Sequence, residues 1–187
     1  MIRAMDIADA LFPSLLGHAA WHGLPESVQR MHGATLRLAA RGEADVEGDH
    51  NLIVRLLRRL LGLPSPGLHQ TLEFFIERDG RSETWTRRFA QDEMRSVLTR
   101  SADSTHLIER LGPVTLRFAL RQDASGIDWH VCRVSAFGLP LPRAWTGDVR
   151  SRSSMHNGRY AFAIDTRLPL VGRLVAYRGW LEIVPDA

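Results

Sequence analysis

Residues His69–Phe89 read HQTLEFFIERDGRSETWTRRF. HQTLEFFIE and SETWTRRF are two strand-like runs, and the Asp79-Gly80 pair between them signals a two-residue hairpin turn. With that turn Phe74 faces Trp85 across the pair and Leu72 faces Arg87. The reading decides the fold, because the same pattern continues almost to the C-terminus. MRSVLTR, THLIERL, VTLRFALRQ, IDWHVCRVSAF, DVRSRSSMH, RYAFAIDTRL and RLVAYRGWLEIV follow as further strands. Asn157-Gly158 is a second hairpin signal as good as the first.

Upstream the pattern changes. HNLIVRLLRRLLG has Asn51 as a good N-cap and Gly62 as a good helix stop, so residues 51–61 form a helix. Arg55, Arg58 and Arg59 share one arc of its wheel, leucines, Ile53 and Val54 fill the rest, and no acid lies between Asn51 and Gly62. ATLRLAARGEADVEG, before it, alternates with period two and carries a bulge signal at Gly42. The first 33 residues read as helices, DIADALFPSLLG and PESVQRMHG, stopped at Gly17 and Gly33.

The whole is mainly β with α+β character. It is one domain over 1–187, with a helical segment at 1–33 and a body at 34–187. About ten strands joined by short connections, without βαβ alternation, make an antiparallel meander. A meander that long curls into a barrel or half-barrel, with N-terminal helices and one amphipathic capping helix packed on it.

In a meander consecutive strands run up and down, so each connection is assigned to one end by parity. With the strand at His69 taken as up, the turns at Asp79-Gly80, Ser101–Ser104, Asp123–Gly126 and Asn157-Gly158 lie at the top. All four are polar. The apolar proline segments GLPSPGL, GLPLPRAW and LPLVG all lie at the bottom, beside the amphipathic helix. Such an end is a plug of core side chains, a mouth for an apolar or amphipathic ligand, or a surface for a partner or membrane.

The chain has 187 residues and a net charge of +3. All 24 basic residues are arginine, spread singly among 21 acids, which reads as a solvated outer face and not as a nucleic-acid stripe. One cysteine, no long apolar run and no clean signal core lead to an expectation of a cytoplasmic protein.

Catalytic signatures are weak. His18 and His22 have i, i+4 spacing, but no Glu follows His18 and glycines flank the segment, so no metal site is expected. Cys132 reads as a buried strand thiol that shares a face with His130, without a supporting motif. No GxSxG elbow, P-loop or dinucleotide fingerprint is present, so no cofactor is expected. The expected function is therefore non-catalytic binding of an apolar or amphipathic small molecule. The residues expected to contact it are His32, Trp85, Trp129, Leu139, Leu141, Arg143, Trp145 and Tyr177: aromatics with polar tips, the proline loop, and an arginine for an anionic head. Two alternatives are an accessory module docking on an oxidoreductase or membrane, and an enzyme with His32 or His130 as base.

LPESVQRMHG, GLPLPRAW and RLPLVGRLVAYRGWLEI carry a resemblance. The matching positions are Leu24, Pro25, His32 and Gly33, then Pro169, Leu170, Gly172, Tyr177, Gly179 and Leu181. Over nearly its whole length the chain resembles an uncharacterised bacterial family, a domain of unknown function found alone or fused behind a saccharopine-dehydrogenase-like NADP-binding domain. The resemblance implies an NADP-dependent oxidoreductase as partner, and carries no catalytic residue.

Overall fold

In the computed structural model, which describes residues 9–79 and 81–185, period-two alternation produces eleven antiparallel strands. They are β1 (Arg37–Glu47), β2 (Gly67–Arg78), β3 (Ser82–Arg88), β4 (Glu93–Arg100), β5 (Leu107–Leu111), β6 (Val114–Asp123), β7 (Gly126–Ala136), β8 (Leu139–Pro140), β9 (Asp148–His156), β10 (Arg159–Leu168) and β11 (Gly172–Val184). Each pairs with its sequence neighbour up to β7. The chain then pairs β7 with β9, β9 with β10, β10 with β11, and β11 with β1. The sheet therefore closes into a barrel of ten staves, and β8 is an extra two-residue strand folded back on β7.

Five helices complete the described chain: α1 (Leu11–Leu16), α2 (His18–His22), α3 (Glu26–His32), α4 (Leu52–Leu61) and α5 (Arg143–Thr146). The first expected helix stops at Gly17 as its sequence requires, with φ 80° there, and the short α2 follows it. Its expected start, Asp6–Ala8, lies outside the described residues. α3 ends before Gly33, as its sequence requires.

The parity assignment holds, because β8 and β9 run in the same direction against the same strand and add no reversal. The β2–β3, β4–β5, β6–β7 and β9–β10 turns share one end, the top, where α3 also feeds β1. The proline segments and α4 share the other.

The two ends are closed differently. An eight-stranded barrel is just wide enough for side chains to fill, and ten staves enclose more. At the top the surplus is taken up by α1–α3, which sink Phe12, Trp21, Val28 and Met31 into the barrel with almost no exposure. Arg78 fastens this plug: Nη2 donates to Met31 O at 2.8 Å, Nη1 to Thr35 O at 2.5 Å, and Nε to Glu83 Oε1 at 3.0 Å. The other Glu83 oxygen accepts from Trp85 Nε1 at 2.8 Å.

Four local expectations are corrected. The β2–β3 register is Arg78 opposite Glu83 and Ile76 opposite Trp85, so Phe74 faces Arg87. The Asp79 carboxylate accepts from the Arg81 and Ser82 amides and from the Ser82 hydroxyl, which moves the turn along the chain. Gly80 lies outside the described residues. The β1 bulge lies between Ala44 and Val46, whereas Gly42 is in regular register. At Gly42 a Cβ would sit 1.9 Å from the Trp180 carbonyl, so glycine serves the close approach of β11 instead. Finally, Cys132 is exposed, because Ile127 and Trp129 hold the inner-face parity of β7 and turn His130 and Cys132 outward.

Candidate cavity at the proline-rimmed end

Below the plug the barrel is hollow. A cavity of about 330 Å³ runs from an aromatic floor to the proline segments. Trp85, Phe118 and Trp129 make the floor, with Tyr160 and Ser153 beside them. They stand there because each takes the inward position of a period-two strand. Leu57 and Leu61 of α4, with Pro113, Leu141, Trp145 and Leu168, make the mouth.

α4 forms as the sequence demands. Asn51 Oδ1 accepts from the Val54 amide at 2.9 Å, and Gly62 adopts φ 62° at the C-cap. Asn51 Nδ2 also donates to Val171 O at 2.9 Å, which ties the helix start to the β10–β11 turn. Its orientation is unexpected. Val54 and Arg58 are buried, Leu57 and Leu61 face the cavity, Leu60 lies at its edge, and Leu52, Ile53 and Leu56 face solvent.

The interior carries a few polar groups. Arg87 and Glu109 project from β3 and β5 with side chains only 10% exposed, Nη2 lying 3.7 Å from Oε1. Arg87 Nη1 donates to Ser96 Oγ at 3.2 Å, and the guanidinium lies 5.0 Å from the Trp85 ring centre and 5.4 Å from that of Phe74. Glu109 Oε1 and Trp129 Nε1 are buried without a hydrogen-bond partner among the described residues. The wall thus holds one acceptor and one donor in reserve.

Behind the floor sits His32, fully buried, its ring 4.2 Å from Phe12 and 5.5 Å from Trp85. Nε2 lies 3.1 Å from Tyr160 Oη and 3.3 Å from Ser153 Oγ, and Tyr160 donates to Ser153 at 2.9 Å. These bonds tie α3 to β9 and β10. Burial first, then Arg78 and Arg87, hold the imidazole well below its ordinary range, so it is neutral. Burial pushes the Tyr160 phenol up to about 12 and also raises Tyr177.

Of the eight residues singled out from sequence, Trp85, Trp129, Leu141, Trp145 and Tyr177 line the cavity. His32 is outside the lining, behind the floor, bonded to Ser153 and Tyr160 and packed against Trp85. Leu139 and Arg143 are exposed at the rim, outside the lining. Arg87, Glu109, Ser153 and Tyr160 were missed. A signal existed for two of them: Arg87 follows Trp85 by two residues, and Glu109 sits between Leu107 and Leu111, so both share an apolar face. His18 and His22 are exposed with ring centres 4.2 Å apart, and no group of three metal-ligating side chains occurs among the described residues. No helix there is long and apolar enough to cross a membrane.

A family model described as Domain of unknown function (DUF4166) matches residues 24–181. A search of curated proteins gave no match. The matched span runs from the plug helix α3 through the barrel staves, and the chain belongs to this family.

Proposed function

We propose that the domain is a binding protein for an apolar or amphipathic small molecule held inside the barrel. The observation that carries this reading is the cavity. Its 330 Å³ falls within the about 300–1,000 Å³ of small-molecule pockets, and aromatic and aliphatic side chains dominate its wall. Arg87, Glu109 and the free Trp129 indole N–H favour a ligand with one compact polar group. That group would sit between β3, β5 and β7, with its apolar part toward α4.

A histidine-base enzyme is less well supported. Neither His32 nor His130 lines the cavity, and among the described residues nothing orients the His32 ring through Nδ1. The family resemblance adds a bacterial setting and a destination for the ligand, an NADP-dependent oxidoreductase, and the single cysteine fits a cytoplasmic one. Reciprocal pull-down with such enzymes from the same source tests that part.

The binding reading is tested by titrating an environment-sensitive dye and a series of medium-chain fatty acids and alcohols, with native mass spectrometry for stoichiometry. Ala136→Trp narrows the cavity near the mouth, since Ala136 lines it on β7. One-to-one binding that weakens at least about tenfold in A136W, with its melting transition retained, supports the reading. Wild-type protein that binds none of these probes, or A136W that binds them equally well, refutes it.

A further inference from the structure

Ten large apolar side chains among the described residues are exposed, and nine of them lie at the mouth end. Four are on α4: Leu52, Ile53 and Leu56 form its outer face, and Leu60 stands at the edge of the cavity. Phe137 and Leu139 flank the tip of the β7–β8 hairpin. Trp145 stands on α5, Leu170 on the β10–β11 turn, and Leu68 at the start of β2. Met155 is the tenth, and it lies at the top.

Two of these positions are strained. Phe137 has φ 52° and Leu170 has φ 61°, a region in which bulky side chains are costly and glycine or asparagine is preferred. Both side chains are exposed, Phe137 at 77% on the rim of the cavity and Leu170 completely. Folding alone gains nothing from a phenylalanine and a leucine there. Their place on turn tips around an opening fits a contact made after folding.

The charges at this end identify the occupant. The carboxylates are engaged: Glu47 and Asp165 with Arg173, Glu93 with Arg88, Asp148 with Arg150. Asp49 accepts from the Arg173 amide and Asp92 from the Ser65 amide. The exposed arginines Arg55 and Arg59 of α4 and Arg143 of α5 have no ion-pair partner among the described residues. On the wheel of α4, Arg55 and Arg59 border the exposed leucines directly. Projecting apolar groups flanked by free guanidinium groups are what a helix lying on an anionic bilayer presents: side chains into the acyl boundary, cations at the phosphates.

We infer that the mouth end docks on an anionic lipid surface, through the outer face of α4 and the tips at Phe137, Trp145 and Leu170. The cavity then opens toward the bilayer, where an apolar ligand is exchanged without crossing water. Docking itself does not require the cavity to be filled, so it stands apart from the binding function proposed above.

The test uses the whole chain and vesicles of phosphatidylcholine and phosphatidylglycerol in equal parts, against phosphatidylcholine alone. Sedimentation reads binding, and Trp145 is the reporter, because Trp21, Trp85 and Trp129 are buried and the half-buried Trp180 lies under Arg159 toward the opposite end. The expected result is partition onto anionic vesicles with a blue-shifted emission that W145F abolishes. L52Q/I53Q/L56Q changes only exposed side chains and is expected to lower the partition coefficient more than about tenfold. R55Q/R59Q is expected to lower it about fivefold per arginine and to flatten its salt dependence. Dye binding in the cavity stays unchanged in both variants.

No partition of the wild-type chain overturns the inference, and so does equal partition of L52Q/I53Q/L56Q. Equal binding to neutral vesicles overturns the anionic surface. A wild-type dimer that L52Q/I53Q/L56Q converts to monomer overturns it in favour of a second copy of the chain. Vesicle binding without dye binding leaves docking intact and removes only the ligand reading.

Discussion

The Arg87–Glu109 pair measures how dry the barrel is. The two charges stand 3.7 Å apart with side chains 10% exposed. At an effective dielectric of about 20 their attraction is about 4.5 kcal/mol, and in bulk water it falls to about 1 kcal/mol. Desolvating two ions offsets most of the first figure, so the pair adds little net stability. Removing one partner leaves a buried charge, with Ser96 and two aromatic faces as compensation for Arg87 and with no hydrogen-bond donor on Glu109 Oε1. The expected outcome is that R87M and E109L each cost about 3–5 kcal/mol, R87M more than E109L, whereas R87M/E109L lies near wild type. Urea unfolding at constant m-value gives the four free energies and their coupling. A coupling above about 3 kcal/mol marks a water-excluding interior. One below about 1 kcal/mol would mean the cavity is open to bulk water, and the argument for an apolar ligand there would fail with it. In the dry case the double variant keeps apolar dyes and loses the preference for ligands with a polar head.

Three further outcomes are expected. His32 is held below its ordinary value of 6.5, so between the folded and unfolded values the unfolded chain binds a proton that the folded one does not. Stability then falls as pH drops below about 6.5, by at most about 1.4 kcal/mol per unit, and H32Q flattens that slope when both proteins are unfolded in urea across pH. Glu83 contributes with the opposite sign, since burial raises its carboxyl, and it is common to both proteins. F12A removes a fully buried plug ring and is expected to cost about 3–5 kcal/mol while the cavity still binds dye; loss of dye binding in a folded F12A would place the site in the plug. N51A deletes the α4 cap and its bond to Val171, so a loss of about 1 kcal/mol is expected, with faster amide exchange confined to α4 and the β10–β11 turn.

The staves were legible because each has a period of its own: Val114, Leu116, Phe118 and Leu120 of β6 alternate without interruption. Turn chemistry then gave direction, and direction gave the two ends. What escaped depends on partners far along the chain. Asp79 draws the β2–β3 turn toward Ser82 by three hydrogen bonds to its carboxylate, and this moves the register by two residues without changing the inner face. Arg78, Arg87 and Glu83 look like outer-face residues by type, yet they share an inner face with Ile76 and Trp85, and only a closed interior with its own polar partners retains them there. β8 and α5 were hidden within one proline segment, because two residues are too few to show any period.

The least legible feature, the roll of α4, explains why the lower half of the barrel is hollow. The chain does not lack apolar side chains to fill it. Leu52, Ile53 and Leu56 are close by, and rolling the helix about a third of a turn would bring them over the mouth. Such a roll would bury these side chains at about 1.5–3 kcal/mol each, a gain that has to be opposed. Two features oppose it. Asn51 is bonded to both Val54 and Val171, which fixes the start of the helix. Arg58 turns its guanidinium inward over Gly48, where a Cβ would stand 2.2 Å from Nη1. Burial, and then Arg55, disfavour its charge there, and Asp49 and Asp92 offset this in part. A side chain at position 48 would push Arg58 out and free the helix to turn. G48A should therefore tighten the mouth: slower dye association, a smaller exposed apolar surface, and a melting temperature no lower than that of the wild type. Unchanged dye kinetics in a folded G48A would show that the helix is held by something other than Arg58.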